Sequence, residues 1–253
     1  MFFPVAWTVS ASLKPNAEVL LVPVRWIPSA VSWENFVRPF IEKPFGRYFV
    51  NSIAVSGSVT ALGLFFCSLA GYGFAKFNFR GRNILFLYVL STLMVPLHVI
   101  MISLFLVVRS FGWLNTYQSL IVPSMISAFG IFLMRQFMLS IPSEYIDSAR
   151  IDGEHEFGIF LRIIVPMVTP PMATLAIYTF MGSWDDFLWP LIVISVDKLK
   201  TIPLGMASFE SIYRSSYNYL MAISLLALLP MLVAFVFFQR KIIQSVVMSG
   251  LKQ

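Results

Sequence analysis

Long apolar runs separated by short polar turns dominate this chain. A helix crossing a hydrocarbon core needs about 20 mostly apolar residues, and residues 49–75, 84–108, 117–138 and 219–238 each supply such a run. A fifth run, residues 159–181, is long enough but is interrupted by Pro166, Pro170 and Pro171. The run at 187–196 is too short to span alone and is expected to re-enter the membrane or extend the fifth helix. Residues 1–13 read as the last half of a span, closed by the polar turn Lys14-Pro15-Asn16. No basic residues precede that run as they would in a secretory signal. The first helix is therefore expected to be truncated, or to start upstream. The expected fold class is all-α: a polytopic membrane helix bundle of about six transmembrane helices, the first truncated, in a single transmembrane domain over residues 1–253.

The one long polar interruption between spans covers residues 140–162. The pattern predicts a helix that starts within residues 140–144 and runs to about Ile151. Ser140 or Ser143 is expected as its cap, Pro142 in its first turn, and Glu144 against the positive end of its dipole. Gly153 follows where a left-handed stop is needed. Tyr145, Ala149 and Asp152 recur at spacings of four and three, hence on nearly one face. Small Ala149 is expected to let a partner approach closely, with Tyr145 as an amphipathic anchor. Phe157, Phe160, Leu161 and Ile164 then form a second amphipathic stretch before Pro166. Two readings stay open on this pattern: a helical element gripped by a water-side partner, and a loop lying on the lipid surface.

Composition narrows the field. The chain is 58% apolar and 12% charged, against about 45–50% and 25% in soluble domains. The net charge of +6 is dispersed, which excludes the clustered bases of a nucleic-acid footprint. Lys76, Arg80 and Arg82 crowd a short connector with no acid, marking residues 76–82 as cytoplasmic. Alternation then puts residues 109–118 outside, and both the 140–162 interruption and the 240–253 tail inside. The lone cysteine, Cys67, has no intrachain partner for a disulfide. Cys67 with Gly71, and Gly57 with Ala61, have the small-residue spacing of close helix contacts.

Chemistry-bearing motifs are few. His98 and His155 share no metal-ligand spacing with another histidine, and neither Gly-x-Ser-x-Gly nor His-Glu-x-x-His occurs, so catalytic, cofactor and metal residues are all expected to be none. No Gly-x-x-x-x-Gly-Lys-Ser/Thr is present, and Gly71-Tyr72-Gly73 lacks the third glycine of a dinucleotide fingerprint. A channel filter ring is not visible. The segment Trp184-Asp185-Asp186-Phe187-Leu188-Trp189-Pro190 carries two acids that are costly near a span unless used. Its two indoles could face sugar rings, or could form an interfacial aromatic belt.

Asp147-Ser148-Ala149, then Arg150-Ile151-Asp152-Gly153, then Phe157, Ile164 and Pro166, resemble the EAA loop of binding-protein-dependent ABC transporter permeases. That loop reads Glu-Ala-Ala, three residues to Gly, and an apolar stretch ended by proline. The resemblance extends to Asn51-Ser52, Phe79-Arg80-Gly81-Arg82, Met94-Val95-Pro96 and Leu114-Asn115-Thr116-Tyr117. It continues through residues 132–137, 182–190 and Gln239-Arg240, and is closest to the smaller permease of a maltose-type carbohydrate pair. Asp147 stands where Glu is usual, Ser148 where the first Ala is usual, and Asp185 where Asn is frequent. The resemblance implies a transport subunit without its own ATPase site, in a bacterial or archaeal cytoplasmic (inner) membrane. Its implied partners are a second related permease, two ATPase subunits that bind ATP and Mg, an extracytoplasmic solute-binding protein and membrane lipid. It implies import of a sugar or oligosaccharide, with glycerol phosphate, polyamine or peptide as the alternative cargo. The span interiors hold almost no bases, which favours a neutral solute. Cytoplasmic coupling helices would lie between the fourth and fifth spans. The residues coupling them to the ATPases would be Glu144, Tyr145, Asp147, Ser148, Ala149, Asp152, Gly153 and Phe157. Trp184, Asp185, Asp186 and Trp189 would line the substrate pathway.

Overall fold

The described residues, 3–212 and 216–250 of a computed structural model, hold helices joined by turns and no strand. The helices used below are α1 (Phe3–Ser12), α2 (Glu34–Glu42), α3 (Phe45–Lys76), α4 (Arg82–Ser91), α5 (Leu97–Ser110), α6 (Tyr117–Ile121), α7 (Ala128–Leu139), α8 (Glu144–Ile151), α9 (Glu156–Ile159), α10 (Thr169–Trp184), α11 (Leu188–Val193), α12 (Ile202–Ile212) and α13 (Tyr217–Gly250).

Among the described residues only α3, with 32 residues, is long and apolar enough to cross a membrane as one helix. At about 1.5 Å per residue it measures about 48 Å. Three other expected spans are bent pairs, which brings the number to four if each pair is one span. The run at 84–108 breaks by 105° between Arg82–Met94 and Leu97–Ser110. Val95 is extended there (φ −97°, ψ 113°), as the ring of Pro96 demands of the residue before it. The run at 117–138 bends by 43° around the 3-10 turn Val122–Ser124 that holds Pro123. The proline-rich fifth run bends by 84° between Glu156–Met167 and Thr169–Trp184. It contains a π-helical turn, Phe160–Ile164, just before Pro166, the register change expected where a proline removes one donor from the ladder. The short run at 187–196 does not continue α10: the chain leaves the helix after Trp184, resumes as α11, and is extended at Ile194.

The chain divides into two compact units, one from Met1–Ala54 with Asp185–Ala234, the other from Val55–Trp184 with Phe235–Gln253. In the first, buried side chains pin backbone. The Asn51 amide donates to the Lys198 and Lys200 carbonyls at 3.0 and 2.9 Å. Ser52 Oγ accepts from Ile202 N at 2.8 Å, at the start of α12. Asn35 donates to the Ser12 and Lys14 carbonyls, both at 2.8 Å, and accepts from Asn218 at 2.7 Å. Lys200 pairs with Asp197 at 2.6 Å, and its hydrogen bond holds that carboxyl below the usual range.

The second unit is built on an apolar cluster that includes Cys67, Tyr72, Phe86, Met134, Ile146 and Phe160. Here the Cys67/Gly71 spacing is used for close approach: a Cβ on Gly71 would lie 2.8 Å from Met134 Cβ and 2.9 Å from Arg135 N, and one on Gly130 would lie 2.8 Å from Cys67 Sγ. A Cβ on Gly57 would meet nothing within 4 Å, so Gly57 makes no such contact among the described residues. Arg135 spans the same seam, with its guanidinium 4.0 Å from the Phe86 ring centroid and its Nε donating to the Phe74 carbonyl.

Candidate functional site

The element between α7 and α10 forms where its local chemistry predicts. Helix α8 begins at Glu144, with Glu144 and Asp147 in its first turn and Arg150 in its last, each sign matched to the helix dipole. The expected serine cap is absent. Ser143 is itself helical (φ −70°, ψ −21°) and makes no capping bond, while Ser140 Oγ donates back to the Phe137 carbonyl. The C-terminus is as expected. Gly153 adopts φ +83°, its N–H donates to the Arg150 carbonyl at 3.1 Å, and Glu154 N–H reaches the Ala149 carbonyl at 2.9 Å. Those two bonds make a Schellman stop that satisfies the last carbonyls of the helix.

The two faces of α8 are sharply divided. Ile146 and Ala149 point into the unit's own apolar cluster. Ala149 is 7% exposed, so its small size serves internal packing, and not the approach of a partner as its spacing suggested. The outer face carries Tyr145, Ser148, Ile151 and Asp152, all exposed, at the spacings of three and four that share one side of a helix. Ile151 is 87% exposed. It was not singled out in the sequence, although an isoleucine between a charged turn and a helix stop was the available signal. Ser148 Oγ turns back to the Glu144 carbonyl at 2.8 Å. Phe157 is half-exposed, edge-on to Phe65 at 6.4 Å and tilted on Phe160 at 6.2 Å.

Ionic contacts bind α8 to the start of α9. Arg150 Nε donates to Glu156 Oε1 at 2.6 Å and Arg150 Nη1 to Asp147 Oδ1 at 3.1 Å. Glu156 also accepts from the Tyr72 hydroxyl of α3 at 3.2 Å, and Lys76 Nζ, one turn along α3, donates to the Ile141 carbonyl. Glu154 pairs with Arg162 at 2.9 Å. Neither Tyr72 nor Lys76 was legible as part of this element, because Tyr72 lies 84 positions from Glu156 and Lys76 lies 65 from Ile141.

The segment after α10 is arranged differently from a wall of open aromatic faces. Trp184 is 2% exposed and stacked on Phe180, 5.7 Å between centroids, and Trp189 is 3% exposed. Asp186 accepts from the backbone N–H of Trp189 at 3.3 Å, at the start of α11. Burial pushes its carboxyl up from the ordinary carboxylate range, opposed by the N–H groups of Trp189 and Leu188. Of the four predicted pathway residues, Asp185 alone is exposed.

Residues 63–247 match the family described as binding-protein-dependent transport system inner membrane component. This chain belongs to that family. The matched region contains the whole of α8, the turn at Gly153 and the segment after α10. Full-length relatives agree. The arabinooligosaccharides transport system permease protein AraQ of Bacillus subtilis is 38% identical over 99% of this chain and 90% of its own. The lactose transport system permease protein LacG of Rhizobium radiobacter is 35% identical over 98% and 90%. The same fold is seen in a chain of a bacterial ABC transporter involved in the import of the acidic polysaccharide alginate, at a TM-score of 0.83 and 22% identity, over 94% of this chain and 90% of that one.

Proposed function

We infer that this inner membrane component carries an oligosaccharide through the bilayer, powered by separate ATPase subunits that grip the outer face of α8. One observation carries the reading: on the outer face of α8 the 87% exposed Ile151 stands among the exposed polar residues Glu144, Asp147 and Ser148, with exposed Tyr145 at the edge of that face. A projecting apolar side chain in a polar surround suits an anchor for a helix-in-groove contact. The family match and the relatives named as permeases support its acting as a transport subunit. ATP and Mg belong to the partner ATPases, a second permease completes the pore, and a binding protein delivers the solute from outside.

The mechanism that fits is rigid-body gating. The Schellman stop and the Arg150–Glu156 pair make α8 and the start of α9 a single block. Displacing that block loads the π-helical turn and the 84° bend that lead into α10. Breaks of this sort leave carbonyls that need a protein or water-lined surrounding and not lipid, which suits a pathway wall. Asp185, exposed in its own unit, is the residue proposed to meet cargo. The names of the relatives, for arabino-oligosaccharides and lactose, and the scarcity of bases in the spans support a neutral sugar. A phosphate-ester cargo such as glycerol phosphate would call for bases in the spans.

The test uses the transporter reconstituted with its ATPases, binding protein and labelled arabinotriose. Because Ile151 is 87% exposed, Ile151→Glu leaves insertion intact. It is expected to weaken ATPase association about tenfold or more, as loss of an interface hot spot does, and to reduce uptake with it. Unchanged ATPase affinity in Ile151→Glu and in the charge reversal Asp147→Lys would overturn the docking role.

A further inference from the structure

Helix α3 holds the coupling element from both sides. Tyr72 and Lys76 are four residues apart and therefore stacked on one face of α3. Tyr72 donates to Glu156 Oε2, just after α8, and Lys76 donates to the carbonyl of Ile141, just before it. The same face continues away from Lys76, with the Tyr72 ring 5.6 Å from Phe160 and Phe65 6.4 Å from Phe157. Tyr72 is buried in the apolar cluster, so its hydroxyl has a real need of the Glu156 carboxylate. The Arg150–Glu156 pair, by contrast, is about two-fifths exposed on both sides. Such pairs add only about 0–1 kcal/mol to stability, so the arrangement is poorly explained as a stabilising device. It is well explained as a linkage: one carboxylate takes Arg150 from α8 on one oxygen and Tyr72 from α3 on the other.

We propose that Tyr72 and Lys76 are positioning residues that make α3 the span that follows α8, gripping the coupling element through the Glu156 carboxylate on one side and the Ile141 carbonyl on the other. This rests on the reading of α8 as the ATPase-driven element. Movement of α8 then reaches the bilayer by two routes, forward along its own chain into α10 and sideways into α3. Without the sideways route α8 would still be displaced, but α3 would stay behind.

Spin labels at two positions in the complete reconstituted transporter test this independently of cargo. A label on His155→Cys, exposed just beyond α8 and outside the docking face, reports α8 with the start of α9, and one on Leu62→Cys reports α3, each compared without nucleotide and after trapping with ATP and vanadate. In the otherwise native chain both spectra are expected to change on trapping. In the Tyr72→Phe/Lys76→Met double variant the His155 response should persist while the Leu62 response falls about fivefold. The Tyr72→Phe/Lys76→Arg variant, which keeps a donor for the Ile141 carbonyl, should recover most of that loss. A merely structural role would diminish both labels together, and that result overturns the proposal. An undiminished Leu62 response overturns the grip and leaves docking standing. A His155 label that ignores trapping in the otherwise native chain overturns the docking reading, and the grip with it.

Discussion

Gly153 shows how much one dihedral decides. At φ +83° a side chain costs about 1–2 kcal/mol, and its N–H is also half of the Schellman stop. Gly153→Ala keeps that N–H and adds only the strain. Gly153→Pro removes the donor and demands φ near −65°. Hydrogen exchange measured across residues 149–154 should therefore rise moderately in the alanine variant and approach the unprotected rate in the proline variant. Equal protection in both would mean that the stop is held by something other than this geometry. The need for glycine here was legible in the sequence because it is local. The caps were not: Ser143 is drawn into the helix and Ser140 bonds backward, outcomes set by how α7 ends. Nor could spacing tell which way Ala149 and Tyr145 would point, since the apolar cluster that claims Ala149 comes from distant segments.

At the level of elements, two glycines of α3 separate packing from propensity. A Cβ on Gly71 meets Met134 Cβ and the Arg135 backbone at under 3 Å, whereas one on Gly73 meets nothing within 4 Å. Gly73→Ala should gain the roughly 1 kcal/mol that alanine holds over glycine in a helix. Gly71→Ala gains the same but pushes α3 off α7, and overpacking of this kind costs about 1–3 kcal/mol, so the net effect is destabilising. Thermal unfolding of the detergent-purified transporter should move up for the first variant and down for the second. A downward shift in both, or an upward one in both, would contradict the close approach of α3 and α7. Cys67 with Gly71 was legible as a contact seam from its spacing. The bends were legible only as prolines: apolar periodicity runs through residues 84–108 without a gap, and the 105° turn at Val95–Pro96 depends on what each half packs against.

On the scale of the whole molecule, the helical class, the long apolar runs that become helices and the polar helix at 144–151 were all readable, because hydropathy and turn chemistry are local properties. What escaped are the pairings that join remote segments: Asn51 to the turn at 198–200, Asn35 to Asn218, Tyr72 to Glu156. The inward packing of Trp184 and Trp189 escaped for the same reason. The central claim, that the outer face of α8 is where the driving ATPase takes hold, has a direct test. Cys67 is the chain's one cysteine and is buried, so a cysteine introduced at Ile151 is the sole accessible thiol of the chain. In sealed vesicles with the assembled transporter, Ile151→Cys should cross-link to an ATPase subunit to an extent that changes with ATP, and should resist a membrane-impermeant thiol reagent on the binding-protein side. Labelling from that side, with no cross-link to the ATPase during turnover, would contradict the account.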